Sequence, residues 1–587
     1  MRRRSEGKTL VIVLLVSVAL AVAAVVLLIA TLSGGELVPP GEVVLELDLA
    51  QGFVDGRLED PVALAFLPVE PSLREVVDAI RRAGRDDRVV ALVARVGAAP
   101  VGLATLQELR QAVLDFREGG KPAYAHAETL GEFAPGNGAY YLASAFDEID
   151  LQPSGDVGLT GVRYEVPFYR GALDKLGVVP QLDHRREYKN AMNSLTETGF
   201  TEAHAEALQA VADSHFGQIV RGVAAGRGLD EEAVRRIFDG GPYLGPEALE
   251  LGLVDRLAYR DELTDRLRER FGDGVGNETL ARYLRRGGGP SGGRSVALIY
   301  GVGSVVLGPG GYDPFSGSRE MGSETVSRAF REALEDDDVE AILFRVDSPG
   351  GSYVASDTIW RQTVLAKEAG KPVVVSMGDL AGSGGYFVAM AADAIVAQPG
   401  TITGSIGVYG GKLVTRELWG KLGIAWGGIS AGERAAFWSG VSEFSPAEWE
   451  RLQAWLDRIY DDFTAKVATG RSLTPEAVSE LARGRIWTGE EAVRLGLVDE
   501  LGGYEAAIAR VRAEIGAAED ERIRLQVFPR PRSAWEALRD RRSFLDPAAG
   551  QLLRRLAPVV ELARRLGWLD GPGAGALEMP WRLKPAG

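Results

Sequence analysis

The chain of 587 residues contains no cysteine and only four histidines. The lack of cysteine excludes a thiol nucleophile, disulfide bonds and cysteine-ligated zinc. The histidines all lie in the first half of the chain, at His126, His184, His204 and His215. No two of them have the spacing of a zinc-binding helix motif, so we expect no metal site and no cofactor. A catalytic centre in the second half could draw no histidine from that half.

Basic residues are also in the minority. Lysine and arginine total 66 against 82 aspartates and glutamates, which gives a net charge of −16. A chain this acidic is a poor candidate for binding nucleic acid through phosphate contacts, so we expect no nucleic-acid partner. The length, with 46% hydrophobic residues, exceeds what one hydrophobic core usually organises and predicts more than one domain.

Charge is absent from residues 10–32, a run of 23 residues that reads LVIVLLVSVALAVAAVVLLIATL. About 20 apolar residues suffice for a helix to cross a bilayer. Basic residues precede the run and an acidic stretch follows it. The positive-inside rule therefore predicts a single-pass anchor, with residues 1–9 in the cytoplasm and the body on the periplasmic side of the inner membrane. The alternative is a cleaved signal peptide, whose apolar region is usually about 7–15 residues long.

The chain contains an internal repeat. Four segments of the first half recur in the same order in the second half, and their spacing stays between 244 and 250 residues. These pairs begin at Arg85 and Glu335, Asn137 and Ser383, Lys175 and Lys421, and Leu251 and Leu495. Shared composition would not preserve the order, so the pattern indicates a duplication.

The repeat and the Gly-rich joint between its halves predict the domain organisation. We expect one domain over residues 40–289, a linker over 290–294, a second domain over 295–527 and an Arg-rich extension of unknown role over 528–587. Within each half, short apolar runs such as VVALVARV and EAILFRV alternate with helical stretches. This alternation predicts an α/β fold with buried parallel strands, in which loops at the carboxyl ends of strands carry the chemistry.

Two loops of the second half are candidates for that chemistry. DSPGGS follows a predicted strand, and its glycines Gly350 and Gly351 could turn backbone N–H groups toward an oxyanion. GDLAGSGGYF places Ser383 between glycines at the start of a predicted helix, where the helix dipole favours negative charge. Each has a structural alternative, namely a tight turn for the first and an N-cap serine for the second.

A serine nucleophile needs a base, and the repeat suggests where it lies. Ser383 corresponds to Asn137, and DSPGG to Gly97–Val101, so the first half has neither the serine nor the paired glycines. Conversely, Lys189 of the first half corresponds to Ala435. Each half thus has what the other lacks, which predicts one site built by both. A lysine serves as a base only if burial or a neighbouring cation lowers its pKa, and the alternative is an ordinary surface lysine.

The anchor, the duplicated halves, SPGG, GSGGY, TGSIGVYG and the YK pair together resemble the signal peptide peptidase A (protease IV) family, peptidase family S49, in its long form. The resemblance covers nearly the whole chain and implies tandem ClpP/crotonase-like domains behind a transmembrane helix. It implies a serine endopeptidase with Ser383 as nucleophile and Lys189 as general base. By the same resemblance, we expect the oxyanion hole at Gly350, Gly351 and Gly384. The resemblance also implies that the Ser405 hydroxyl holds the lysine. Ser405 could equally be a turn serine between glycines.

The resemblance also implies the partners of the chain. We expect peptide substrates, namely cleaved signal peptides in the membrane, and assembly into a homotetramer. Two other functions stay open, a crotonase-like acyl-CoA enzyme, which shares the fold, and a catalytically inactive membrane scaffold. The segment Ser533–Gly587 departs from the family and could lie on a membrane or pack on the body.

Overall fold

The computed structural model describes residues 41–56, 71–286, 292–313, 318–530 and 577–578. The predicted anchor over residues 10–32 and most of the predicted extension lie outside these ranges. Among the helices that are described, none combines the length and the apolar character needed to cross a membrane.

The first half alternates strands and helices. Its helices are α1 Leu73–Arg85, α2 Leu103–Glu118, α3 Asn137–Ala143, α4 Arg170–Leu176, a 3₁₀ turn Asn190–Met192, α5 Asn193–Thr196, α6 Glu202–Arg227, α7 Glu231–Gly240, α8 Gly245–Glu250, α9 Arg260–Phe271 and α10 Leu280–Arg286. Its strands are β1 Val43–Asp48, β2 Val89–Arg95, β3 Ala123–Ala127, β4 Glu148–Leu151, β5 Asp156–Val157, β6 Val179–His184, β7 Tyr243–Leu244, β8 Arg256–Leu257 and β9 Gly276–Thr279.

The second half repeats this alternation. Its strands are β10 Arg294–Val302, β11 Ser304–Val306, β12 Gly310–Asp313, β13 Ser318–Gly322, β14 Val339–Ser348, β15 Gly350–Gly351, β16 Val373–Gly382, β17 Ala394–Ala397, β18 Ile402–Gly404, β19 Tyr409–Val414, β20 Ile486–Thr488, β21 Glu500–Leu501, β22 Ile523–Phe528 and β23 Leu577–Glu578. Its helices are α11 Ser323–Glu335, α12 Tyr353–Glu368, α13 Gly384–Ala389, α14 Arg416–Lys421, α15 Pro446–Gly470, α16 Pro475–Leu481, α17 Gly489–Arg494 and α18 Tyr504–Glu514.

Local sequence accounts for many of the element boundaries. Helix α1 begins after Ser72, whose hydroxyl accepts from the Glu75 N–H while the Glu75 carboxylate accepts from the Ser72 N–H. Ser445 and Glu448 form the same capping box at the start of α15. The central strands are rich in valine, isoleucine and leucine and are buried along almost their whole length, as strands covered on both faces are.

The main sheets of the two halves match strand for strand. The first has the order β9-β1-β2-β3-β4-β8 and the second contains β22-β10-β14-β16-β17-β21, with all neighbours parallel. The short antiparallel pair β5–β7 likewise corresponds to β18–β20. This equivalence agrees with the duplication and with the expected α/β fold. Strand β10 begins at Arg294, the last residue of the predicted linker, and β22 ends at Phe528, one residue after the predicted second domain.

The two halves pack on each other without a solvent layer. One apolar core includes the sheet of the first half and also helix α18 and one face of the second sheet, while another lies wholly within the second half. Helix α2 contributes polar contacts across the junction, since Gln107 accepts from the Gly400 N–H at 2.8 Å and Glu108 from the Tyr504 N–H at 3.1 Å. Apolar packing and hydrogen bonds therefore hold side chains from both halves together at the junction.

A second contact between the halves is a strand pair. Strand β6 of the first half lies antiparallel to β19 of the second, with Val179 opposite Val414 and His184 opposite Tyr409. Beyond β6 the pairing continues, because the Arg185 N–H donates to the Val408 carbonyl at 2.9 Å. This pair carries the chain of the first half directly to the carboxyl edge of the second sheet.

Candidate active site

Ser383 occupies a strained position between β16 and α13. Its backbone has φ 53° and ψ −116°, a region that non-glycine residues rarely adopt. The Ser383 N–H donates to the Gly404 carbonyl at 2.8 Å, which holds the turn. Although Ser383 is the N-cap of α13, its side chain makes no capping hydrogen bond. The hydroxyl is therefore available for another partner, and the N-cap alternative does not describe its use.

That partner is Lys189. The Lys189 Nζ lies 2.8 Å from Ser383 Oγ, 3.0 Å from Ser405 Oγ and 2.9 Å from the Ser405 carbonyl oxygen. All three residues are fully buried, so the alternative of an ordinary surface lysine is wrong. These contacts place the amine within hydrogen-bond reach of the Ser383 hydroxyl.

The backbone around Lys189 explains how a first-half residue reaches this place. After the β6–β19 pair, the Tyr188 N–H donates to the Arg483 carbonyl at 3.1 Å. Gly484 then packs on the lysine backbone so closely that an added Cβ would lie 2.5 Å from the Lys189 nitrogen. A Cβ on Gly407 would lie 3.2 Å from Lys189 Cδ. These two glycines line the passage of the lysine side chain, and the sequence reading missed both.

The DSPGGS loop lies against the nucleophile. Gly350 and Gly351 form the short strand β15 with φ of 101° and 154°, and β15 pairs with Val305 of β11. A Cβ added to Gly384 would lie 3.0 Å from the Gly351 nitrogen and 3.1 Å from Gly350 Cα. The three glycines predicted for the oxyanion hole are thus brought together beside Ser383, and a side chain on Gly384 would separate them.

The other edge of β15 holds an extended piece of the chain itself. Residues Leu577–Glu578 form β23, which pairs antiparallel with β15 so that Gly350 is opposite Glu578 and Gly351 opposite Leu577. This edge accepts a peptide backbone in extended form, as sheet edges that bind peptides do.

Behind the loop lies a buried ionic cluster that joins the halves. Arg345, which is fully buried, donates from Nε to Asp55 at 2.8 Å and lies 2.7 Å from a carboxylate oxygen of Glu108. Its guanidinium is 4.3 Å from the ring centre of Tyr504, whose hydroxyl donates to Asp55 at 3.0 Å. Asp55 and Glu108 belong to the first half and Arg345 and Tyr504 to the second, so the cluster fixes the junction directly under the DSPGGS loop.

Two further carboxyl groups stand immediately before the two loops. Asp347 precedes SPGG and accepts from the Leu380 N–H at 3.0 Å. Asp379 precedes LAGS and accepts from the N–H groups of Gly102 and Thr105, at 2.9 and 2.8 Å, at the start of α2. Burial raises the pKa of both, and the carboxylates of Asp379 and Asp55 raise the pKa of Asp347 further. Our sequence reading missed these residues, although a charge beside an apolar strand was a visible signal.

The histidines lie elsewhere. The pKa of His204 and that of His215 are lowered to about 4 by burial, and His215 is hydrogen-bonded to the Tyr164 hydroxyl and the Gly400 carbonyl. His184 stands in β6, and His126 in β3. The described residues contain no group of three or more side chains that could hold a metal ion. The candidate site itself offers a buried serine, a buried amine and backbone N–H groups, and this combination suits acyl transfer.

Comparison with known proteins agrees with this chemistry. The model of peptidase family S49 matches residues 115–272 and 365–518, one segment in each half. The chain is 31% identical over 472 residues to a chloroplastic serine protease SPPA of Arabidopsis thaliana, covering 78% of this chain and 68% of that protein. It is 32% identical over 458 residues to Protease 4 of Salmonella typhi, covering 75% and 72%.

A further relative and a solved structure complete the comparison. Protease 4 of Haemophilus influenzae is 30% identical over 482 residues, covering 78% of this chain and 75% of that protein. A ClpP1 mutant from Listeria monocytogenes aligns with 37% of this chain and 94% of its own at 17% identity and a TM-score of 0.23, too low to support an argument. On the family match in both halves and these relatives, the chain belongs to peptidase family S49.

Proposed function

We propose that this serine peptidase cleaves peptide bonds with Ser383 as nucleophile and Lys189 as general base. The observation that carries the proposal is the 2.8 Å separation of Lys189 Nζ and Ser383 Oγ in a buried site. A candidate base must lie within hydrogen-bond reach of the proton it takes, and this pair meets that condition without any histidine. In this proposal residues 40–289 supply the base and residues 295–527 the nucleophile.

The reaction would proceed through an acyl-enzyme. Lys189 takes the Ser383 hydroxyl proton as Oγ attacks the substrate carbonyl, and the oxyanion receives hydrogen bonds from N–H groups of Gly350, Gly351 and Gly384. Collapse of the tetrahedral species breaks the C–N bond, and the lysine ammonium protonates the leaving amine. Water then attacks the ester with Lys189 again as base, which releases the acid and restores Ser383. Ser405 holds the amine toward Ser383 through its Oγ, 3.0 Å from Nζ.

The substrate would bind in extended form along β15. The pairing of Leu577–Glu578 with this strand supports that mode, since it presents a peptide backbone beside Gly350 and Gly351. We propose apolar substrates, namely signal peptides left in the membrane after their release. Support comes from the charge-free run over residues 10–32, which would hold the site at a membrane with the body on the periplasmic side. We also propose a homotetramer, which the resemblance to the long form of the family implies.

The test uses the full chain in detergent, with a fluorophosphonate probe and a set of quenched fluorescent peptides. We expect the probe to label Ser383, the label to vanish in Ser383→Ala and to fall strongly in Lys189→Met, and apolar peptides to be cleaved faster than polar ones of equal length. His184→Gln, in the strand that leads to Lys189, is the control and should keep labelling and hydrolysis. A wild-type chain that neither labels nor hydrolyses peptides would favour an inactive scaffold.

A separate test addresses location. Protease added to intact spheroplasts should digest the body if it lies outside the inner membrane, whereas protection of the body until lysis would overturn the proposed topology.

A further inference from the structure

The strand pair between the halves joins β6 of the first half to β19 of the second, and the repeat gives each of these strands a counterpart in the other half. Strand β6 follows helix α4, and β19 precedes helix α14. The repeat spacing at this point is 246 residues, from Lys175 to Lys421. At this spacing the counterpart of β6 is residues 425–430, here called the second-half segment, and the counterpart of β19 is residues 163–168, here called the first-half segment. Each half therefore has both partners of the same contact.

The contact is formed once within the chain, and its other two partners are left at the surface. Val178, just before β6, is fully buried, whereas its counterpart Ile424 is 44% exposed. All six residues of the second-half segment are exposed, among them Trp426 at 54% and Ile429 at 105%. Leu422 is likewise 63% exposed.

The first-half segment has the form of a strand that lacks a neighbour. Its residues alternate between exposed and half-buried, with Arg163, Glu165 and Pro167 outward and the aromatic and aliphatic residues between them inward. Alternation of this kind is typical of a strand with one covered face. Among the described residues no strand pairs with it.

The β6–β19 pair joins two different surfaces, so within one chain the counterpart of each strand has no partner of this kind among the described residues. If a two-fold axis related the halves, both contacts would form within one chain, but the described chain forms the β6–β19 pair alone. Such head-to-tail contacts are completed by further copies, and they close into a ring when the rotation between neighbouring copies closes. We propose that the second-half segment of one chain forms an antiparallel strand pair with the first-half segment of a second copy. The inference rests on the proposed assembly and assigns its contact surface.

The intramolecular pair also gives the register. His184 is opposite Tyr409 and Pro180 opposite Leu413, so Ser430 should be opposite Arg163 and Trp426 opposite Pro167. Because the Arg185 N–H donates to Val408, the positions of Tyr409 and Leu413 are non-hydrogen-bonded ones. A proline is tolerated there, as Pro180 already demonstrates on the opposite strand, and Pro167 falls at the equivalent position.

The absence of native cysteine allows a direct test. Arg163→Cys and Ser430→Cys are introduced into separate full-length chains with different affinity tags, co-expressed and oxidised. Non-hydrogen-bonded pairs bring Cα atoms to about 4.5 Å, within disulfide reach. We expect a shift to a two-chain band that carries both tags. Arg163→Cys with Ile429→Cys is the register control, and it should give little of that band because adjacent strand residues point to opposite faces.

A second measurement separates this inference from the proposed chemistry. Gly427→Pro removes an N–H at a hydrogen-bonded position and should shift the mass in detergent toward a single chain, while Gly428→Pro, at a non-hydrogen-bonded one, should not. The single chain should still label with fluorophosphonate, since Ser383 and Lys189 belong to one chain. A multimer without the two-tag disulfide would overturn the inference alone, and a wild-type single chain would overturn the assembly as well, with neither outcome touching peptidase activity.

Discussion

The two halves of this chain have main sheets of the same strand order and differ at the positions of the candidate site. Where the second half has Ser383, the first has Asn137, whose amide donates to the Gly161 carbonyl at 2.9 Å and accepts from the Thr160 N–H at 3.0 Å. At this position the side chain holds a loop in the first half and contacts Lys189 in the second. A position at the start of a helix is useful for either purpose, so the fold alone does not decide which half is catalytic.

The same contrast holds for the arginine at the end of the central strand. Arg95 is half exposed and pairs with Glu128 at the surface, whereas its counterpart Arg345 is fully buried in the junction. Helix starts differ too. Ser352 caps α12 with its own hydroxyl, while the N-cap residue of α2 is Gly102, and its N–H donates to Asp379 of the other half. The start of α2 therefore depends on a carboxylate of the second half, which ties the two halves together at the junction.

The largest expected difference between the halves is in the nucleophile. We expect Ser383→Ala to lower kcat by about 10⁵- to 10⁶-fold, because loss of a nucleophile removes the covalent route. Asn137→Ser places a serine at the equivalent position of the first half. We expect no fluorophosphonate label there, because the counterpart of Lys189 is Ala435, which cannot accept a proton. Rates of peptide hydrolysis and fluorophosphonate labelling of both variants test these two expectations, and an unchanged circular dichroism spectrum shows that the variants are folded. Label on Asn137→Ser in a Ser383→Ala background would contradict the asymmetry.

Loss of the base should cost nearly as much. Lys189→Met keeps an unbranched side chain in the same passage but cannot accept the Ser383 proton, so we expect a loss similar to that of Ser383→Ala. Groups that act as a unit are non-additive, and the double variant should be no worse than either single one. Rate constants of the three variants, with His184→Gln as control, decide this. A Lys189→Met enzyme with most of its activity would show that another group takes the proton.

The two equivalent arginines should differ in stability. Removing one partner of a buried ion pair leaves an uncompensated charge, so Arg345→Met is expected to lower the free energy of unfolding by about 3–5 kcal/mol. Arg95→Met removes partly exposed pairs and should cost no more than about 1 kcal/mol. Urea unfolding of both variants at one pH measures the difference. Equal losses would mean that the cluster of Asp55 and Glu108 does not hold the junction.

The last expected difference concerns how the stability changes with each unit of pH. The pKa of Asp347 is raised by burial and by the carboxylates of Asp379 and Asp55, so the folded chain retains a proton that the unfolded chain has lost. This contribution is complete below the ordinary carboxyl pKa and is lost as the pH rises through the raised value, at up to about 1.4 kcal/mol per pH unit. Asp347→Asn should flatten the fall in stability between about pH 5 and about pH 8.

Unfolding by urea across that range measures the Asp347→Asn effect, with the wild-type chain as reference. Its counterpart in the first half is Gly97, so no equivalent titration is expected there. Identical pH slopes for the two proteins would show that Asp347 is not the group that retains the proton.

Much of the fold could be predicted because its signals are local. Buried parallel strands need continuous apolar runs, and loops such as DSPGG need glycine, so both leave a mark in the sequence. The repeat then allowed each loop to be compared with its counterpart in the other half. Ser383 corresponds to Asn137 and Lys189 to Ala435, so each half has only one of the two candidate groups. The anchor over residues 10–32 and the extension stay predictions, since they lie outside the described residues.

The sequence by itself determined the duplication, the alternation of strands and helices and the candidates for nucleophile and base, because each depends on residue type and spacing along the chain. Only the tertiary structure decided that Lys189 is buried 2.8 Å from Ser383, that β6 crosses to β19 and that Arg345 holds carboxylates of the other half. Such contacts join residues roughly 200 to 300 positions apart, and their free energy depends on burial and geometry that no local pattern encodes.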